Sequence, residues 1–220
     1  MAENFPTDWQ TALVLVPHPD DPEYGMAAAV HRWTREGKRV IYTLATSGEA
    51  GIEGMPPAEC GPIREDEQRR SAAQVGVDVV EFLGFPDSHL SNDEPLRTAI
   101  AEAIARHRPD VIITIFTGAE YGPGMPNQSD HILFGQAVAD VMTEQGGLLF
   151  ETAPGGDHVV DLADADVEAA VASLTEHEQY LSVLDPDTPV AVQARRQVAM
   201  TTGSGAHRST FLLKSTPPAG

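Results

Sequence analysis

Lysine is almost absent from this 220-residue chain, which holds only Lys38 and Lys214. Acidic residues outnumber basic ones 33 to 14, for a net charge of −19. Such a surface repels a phosphate backbone, which argues against nucleic acid as a partner. Cysteine occurs once, at Cys60, so no intrachain disulfide can form and a reducing compartment fits. Cys60 stands in a Pro/Gly-rich stretch without an adjacent basic group and reads as an incidental thiol. No apolar run approaches the length of a membrane span. Met1–Trp9 has neither the basic nor the apolar region of a secretion signal. A cytoplasmic protein that does not contact membranes is expected.

What is present is ordinary globular material, with 41% hydrophobic and 21% charged residues. No repeat or linker divides it, and one domain over 1–220 is expected. Its core covers about 11–180, a C-terminal helix and strand occupy 181–214, and 215–220 form a tail. Apolar β-branched runs predict strands at Thr11–Pro17, Arg39–Thr46, Val79–Leu83 and Val111–Phe116. Shorter strands are expected at Leu148–Glu151 and His158–Asp161, and a last one at Ser209–Lys214. Helices fall between them. Asp21 as N-cap and Pro22 as N1 start one that ends at Gly37. Pro62 opens the next, which closes at Gly76. Ser91 or Asn92 caps a third, ended by Pro109, and Ser129 or Asp130 starts a fourth, ended by Gly146-Gly147. Val167 to Leu184 marks one long helix, and Val190–Met200 another.

Strands alternating with helices predict an α/β fold: a Rossmann-like, mostly parallel sheet with helices on both faces. In such sheets sites form beyond the carboxyl ends of the strands. Four segments collect there: Pro17–Asp21, Thr46–Gly61, Gly84–Leu90 and Thr117–His131.

The first of these carries His18-Pro19-Asp20-Asp21-Pro22-Glu23. Across so tight a turn an imidazole and a carboxylate, His18 and Asp21, can point at one cation, and both suit Zn²⁺. Asp20 diverges from its neighbour and can stand beside the metal as a general base. A catalytic zinc takes a third protein ligand, for which His131 is the best candidate; Asp130 can hold a liganding imidazole in place. Taken alone, Asp-Asp-Pro is also a good helix cap, and Asp130-His131 are ordinary helix-start residues.

The sequence resembles the zinc-dependent deacetylases of the LmbE/PIG-L group. The resemblance rests on His18 to Glu23 with Gly25, Thr46-Ser47-Gly48-Glu49-Ala50-Gly51, Arg64-Glu65-x-Glu67 and Leu83-Gly84-Phe85-Pro86-Asp87. It continues through Asp130-His131, His158-Val159-Val160-Asp161 and Ser173-Leu174-x-x-His177, and so covers most of 11–180. It implies an LmbE-like fold and removal of the acetyl group from an N-acetylglucosaminyl or related N-acyl sugar conjugate, a small-molecule substrate. It further implies a homo-oligomer, with zinc or another divalent metal held by His18, Asp21 and His131, and Asp20 as the base that activates water. Arg64 and Glu49 match positions that shape the substrate pocket. The chain departs from the family pattern where relatives have His-Pro-Asp-His, since it reads Gln128-Ser129-Asp130-His131. Gln128 can donate a hydrogen bond to an oxyanion but cannot shuttle a proton. His89 is a possible replacement, although a solvated loop histidine is the favoured reading there. His177 reads either as a site residue or as a hydrogen-bonded structural histidine. Two other functions fit the same residues: an amidase on a thiol conjugate or other N-acyl metabolite, and a catalytically idle sugar-binding module.

Overall fold

The computed structural model describes residues 2–203 and 206–215. In chain order the elements are β1 (Glu3–Asn4), β2 (Thr11–Val16), α1 (Asp21–Gly25), α2 (Ala27–Arg35), β3 (Arg39–Leu44) and α3 (Pro57–Gln74). There follow β4 (Val79–Phe82), α4 (Glu94–His107), β5 (Val111–Thr114), β6 (Glu120–Gly122), β7 (Met125–Pro126) and α5 (Ser129–Gln145). The chain finishes with β8 (Leu148–Thr152), β9 (His158–Asp161), α6 (Asp164–Thr175), α7 (Glu178–Leu184), α8 (Val190–Thr202) and β10 (Arg208–Ser215). Among the described residues no helix is long and apolar enough to cross a membrane.

An eight-stranded sheet runs β1-β9-β10-β8-β5-β2-β3-β4. The strands from β8 to β4 in that order pair in parallel. β10 pairs antiparallel with β8 and β9, and β1 joins β9 in parallel. Successive strand residues point to opposite faces, and the two faces have separate cores. Val14, Val16, Tyr42 and Ile113 pack with α2, α6 and α8, whereas Leu13, Leu15, Ile41 and Ile112 pack with α4 and α5. Each fully buried Leu or Ile contributes about 1.5–3 kcal/mol. Strand β2 is buried on both faces, which is why its sequence shows a continuous apolar run rather than an alternation.

From β2 the chain winds outward through β3 to β4, then returns to place β5 on the other side of β2. Between β2 and β5 lies the topological switch point, where a doubly wound sheet opens a crevice. The segments after β2 and after β5 meet there.

Several expected boundaries shift. The helix after β2 starts with Asp20, not Asp21, at N-cap, and it breaks at Met26 (φ −139°) into α1 and α2. Asp21 is instead needed for the turn before it. α3 starts at Pro57 and carries Pro62 inside. Its early start lets Gly61 pack against the loop, where an added Cβ would meet those of Ser47 and Glu49 at 3.4 Å. Asp93, rather than Ser91 or Asn92, caps α4 by accepting from the Leu96 amide. The helix expected across Val167–Leu184 is two, α6 and α7, divided at His177. β10 extends to Ser215; the rest of the expected tail, 216–220, lies outside the described residues.

Candidate metal centre

β2 delivers His18 one residue beyond Pro17, and α1 begins three residues later. The reversal is tight because Asp21 folds back: its Oδ2 accepts from the His18 amide at 2.7 Å. Asp20 between them takes a left-handed conformation (φ 84°, ψ −22°). For a residue with a Cβ this costs on the order of 1–2 kcal/mol, so surrounding contacts must hold it.

His18, Asp20, Asp21, Asp130 and His131 are all buried, each 5–6% exposed. Asp21 lies between the two imidazoles, with Oδ2 3.5 Å from His18 Nδ1 and Oδ1 3.2 Å from His131 Nε2. His18, Asp21 and His131 each offer a ligand atom, all within 4.8 Å of one another. On its other side His18 Nε2 meets Asp87 Oδ1 at 3.2 Å and Asp130 Oδ2 at 3.4 Å.

These partners are compatible with one pair of tautomers. A proton on His18 Nε2, given to Asp87 or Asp130, leaves the Nδ1 lone pair facing Asp21. His131 Nδ1 lies 3.0 Å from Asn127 Oδ1 and 2.9 Å from the Tyr121 hydroxyl. Donation from Nδ1 to Asn127 leaves the Nε2 lone pair also facing Asp21. Among the described residues His131 Nε2 is buried and finds no hydrogen-bond partner. An orphaned imidazole nitrogen and an oriented second imidazole on either side of a carboxylate fit a divalent cation of the zinc type.

The electrostatics show carboxylates crowding both sides of the His18 ring. Burial opposes a charge on His18, yet Asp130, Asp21 and Asp87 raise its pKa well above the ordinary value. Burial likewise opposes the charge of Asp21, and His131 and His18 overcome it, holding that carboxyl well below the usual range. For Asp87 burial is again outweighed by His18. Asp20 behaves differently: burial raises its pKa, Asp21 adds to the rise, and Arg64 only partly opposes it. One carboxylate beside the cluster is thus made basic and the other acidic, a division of labour set by environment.

Arg64, on α3, is 3% exposed. It donates to Gly48 O at 2.9 Å and to Pro19 O at 2.8 Å, lies 3.4 Å from Asp20 Oδ1, and stacks 4.2 Å over the Tyr180 ring. Gly48 and Gly51 admit it, because a Cβ at either would collide with its Nη1. Glu49 Oε1 accepts from the Asp87 amide at 2.9 Å, while its Oε2 is buried without a partner among the described residues. Asp130 Oδ1 accepts from the Leu90 amide at 3.3 Å. Gln128 is exposed at the N-cap of α5 and makes no side-chain cap bond. His89 is exposed and turned back on the Asp87 carbonyl, 2.9 Å away. His18, Asp20, Asp21, Asp130, His131 and Arg64 are therefore gathered into one buried group. Glu49 borders it through Asp87, and Gln128 and His89 sit in solvent.

Asp87 belongs to this group, and half-buried Asn127 and exposed Tyr121 border it through His131; none of the three was expected. Asp87 lies at the carboxyl edge of β4 in a stretch already notable for its resemblance, and that position was the available signal. Asn127 stands just before α5, outside the helix, so no helical spacing pointed to its contact with His131. Tyr121 arrives on the hairpin of β6 and β7, which no periodicity announces.

A doubly wound α/β sheet that holds two histidines and a carboxylate at its switch point defines a class, the Rossmann-like proteins with a His/Asp metal-type site. Within it the chain belongs to the PIG-L family: the model of that family, described as GlcNAc-PI de-N-acetylase, matches residues 13–142, more than half of the chain. One relative is the probable N-acetyl-alpha-D-glucosaminyl L-malate deacetylase 2 of Bacillus anthracis, 29% identical over 59% of this chain and 58% of the relative. Another is the diacetylchitobiose deacetylase of Thermococcus kodakarensis, 31% identical over 48% of this chain and 40% of that protein. The matched part thus spans about half of these relatives' length. Among solved structures, N,N'-diacetylchitobiose deacetylase from Pyrococcus horikoshii superposes with a TM-score of 0.78 at 19% identity, over 94% of this chain and 84% of that one. At that identity the likeness is one of fold.

Proposed function

We propose that this protein is a zinc-dependent N-deacetylase, a hydrolase that removes acetate from an N-acetylglucosaminyl or related N-acyl sugar conjugate. The observation that carries the proposal is the convergence of His18, Asp21 and His131, with Asp20 clamped beside them and made basic by burial. The names of the relatives support the choice of bond and of sugar. His18, Asp21 and His131 would hold the cation, leaving a further position for substrate and water. When bound, the cation supplies Lewis-acid polarisation of the amide carbonyl and acidifies the attacking water.

The chain's own residues do the rest. Asp20 takes the proton of the attacking water and returns it to the departing amine. Arg64 fixes the Asp20 carboxylate and backbone in place. Asp130 and Asp87 orient the His18 ring, and Asn127 orients that of His131. Glu49, His89 and Gln128 stand on the loops after β3, β4 and β5. Gln128 would turn in from solvent to donate to the developing oxyanion, and Glu49, His89 and Arg64 would shape the substrate pocket. We read residues 1–220 as one domain, cytoplasmic and homo-oligomeric, that acts on a small molecule rather than on nucleic acid or membrane.

The test strips metal with a chelator, restores Zn²⁺ in steps, and follows acetate release from N,N'-diacetylchitobiose and a panel of N-acetylglucosaminyl conjugates. Release should vanish on chelation and return with about one zinc per chain. Failure to bind any divalent cation, or acetate release indifferent to chelation, contradicts the proposal.

A further inference from the structure

Behind Asp20 lies a second set of buried polar side chains that no step of the proposed reaction uses. Glu23 is 2% exposed, and Gln68, Ser173 and His177 are 0% exposed. Burying a carboxylate, an amide and an imidazole together is costly unless their bonds are specific.

The bonds lead to one peptide group. The amide of Asp20 donates to Gln68 Oε1 at 2.8 Å, and the carbonyl of that same peptide, Pro19 O, accepts from Arg64 Nη2 at 2.8 Å. Arg64 and Gln68 stand one turn apart on the same face of α3. The Pro19–Asp20 peptide is therefore pinned at both polar ends by one helix. Gln68 is in turn oriented from behind: its Nε2 donates to Glu23 Oε1 and Oε2 at 3.2 and 3.3 Å. Ser173 Oγ reaches Glu23 Oε1 at 3.3 Å, and His177 Nε2 lies 3.4 Å from Glu23 Oε2. A carboxylate only accepts, so the amide nitrogen of Gln68 must face Glu23 and its oxygen must face Asp20. Glutamine suits this place because it offers one donor and one acceptor on opposite corners of a plane. A carboxylate or an ammonium at 68 could satisfy only one side.

We propose that Gln68 and Glu23 are positioning residues for Asp20: Glu23 sets the orientation of the Gln68 amide, and Gln68 holds the left-handed Asp20 backbone that aims its carboxylate. The role of Asp20 as base rests on the function proposed above; the backbone clamp does not.

Gln68→Glu is nearly isosteric but turns two buried carboxylates on each other. The double variant Glu23→Gln/Gln68→Glu restores a donor facing an acceptor while still offering an oxygen to the Asp20 amide. Three quantities are read on the zinc-loaded protein: kcat and KM on N,N'-diacetylchitobiose, bound zinc, and hydrogen exchange at the Asp20 amide. Gln68→Glu should lower kcat by about 10²-fold, the scale of a small misplacement of a catalytic group, with KM and zinc content kept. It should also speed exchange at Asp20, and the double variant should reverse both changes. Should Gln68→Glu not fold, Gln68→Met, which removes the clamp without adding charge, must show the same faster exchange and lower kcat. The proposal is overturned if exchange and kcat stay at wild-type values in the single variant, or if the exchanged pair rescues neither. If the wild-type protein hydrolyses no N-acetyl substrate, the assigned reaction fails, and exchange at Asp20 still decides the clamp.

Discussion

His131 has one ring nitrogen tied to Asn127 and Tyr121 and the other facing Asp21, so its fitness for the proposed ligand role depends on residues outside that set. Asn127→Ala removes the carbonyl that receives the Nδ1 proton. Zinc affinity, measured by competition with a chromophoric chelator, should fall about 10- to 100-fold. At this scale much was readable from residue type and spacing. His18, Asp20, Asp21 and His131 stand out by falling together on the carboxyl edge of the sheet, since each motif alone reads as an ordinary helix start. The supporting residues were harder to see. Asp87 is one of many loop aspartates until the fold brings it against His18, and Gln68 is one polar residue among many on α3. Their roles follow from contacts between segments far apart in sequence, to which local pattern is blind.

Among the elements, α4 is tied to β4 by Glu81, which accepts from Arg106 at 2.7 Å and lies 3.0 Å from His107 Nε2. Burial opposes the charge on Glu81, but Arg106 and His107 outweigh it and hold its carboxyl below the ordinary value. A depressed folded-state pKa gives a contribution that is complete above the unfolded-state value and fades as pH falls through the folded one. Glu81→Gln should therefore lower the thermal midpoint at about pH 7, and the gap to wild type should close toward about pH 3. The alternation of strands and helices was legible because parallel strands buried on both faces leave unbroken apolar runs. Helix breaks were not. The apolar spacing from Val167 to Leu184 continues through His177, where the backbone leaves the helix and the buried ring sits beside Glu23. The division at Met26 is hidden in the same way, because α1 and α2 bury a nearly continuous face. For α3, Pro57 and Pro62 both resemble helix starts, and the helix begins at the earlier one and carries the later inside it.

In the whole molecule, the excess of acid that repels phosphate backbones also favours divalent cations near the sheet edge. The winding of the sheet brings the turn after β2 and the loop after β5 to one crevice, and there the two histidines and Asp21 meet. As the proposed base, Asp20 would transfer the proton next to a cation that it does not hold. That role is tested most directly by Asp20→Asn, with zinc content and acetate release measured on the same sample. Zinc content should stay at the wild-type level while kcat falls by about 10²- to 10⁴-fold. Loss of the metal together with activity, or activity close to wild type, would contradict it.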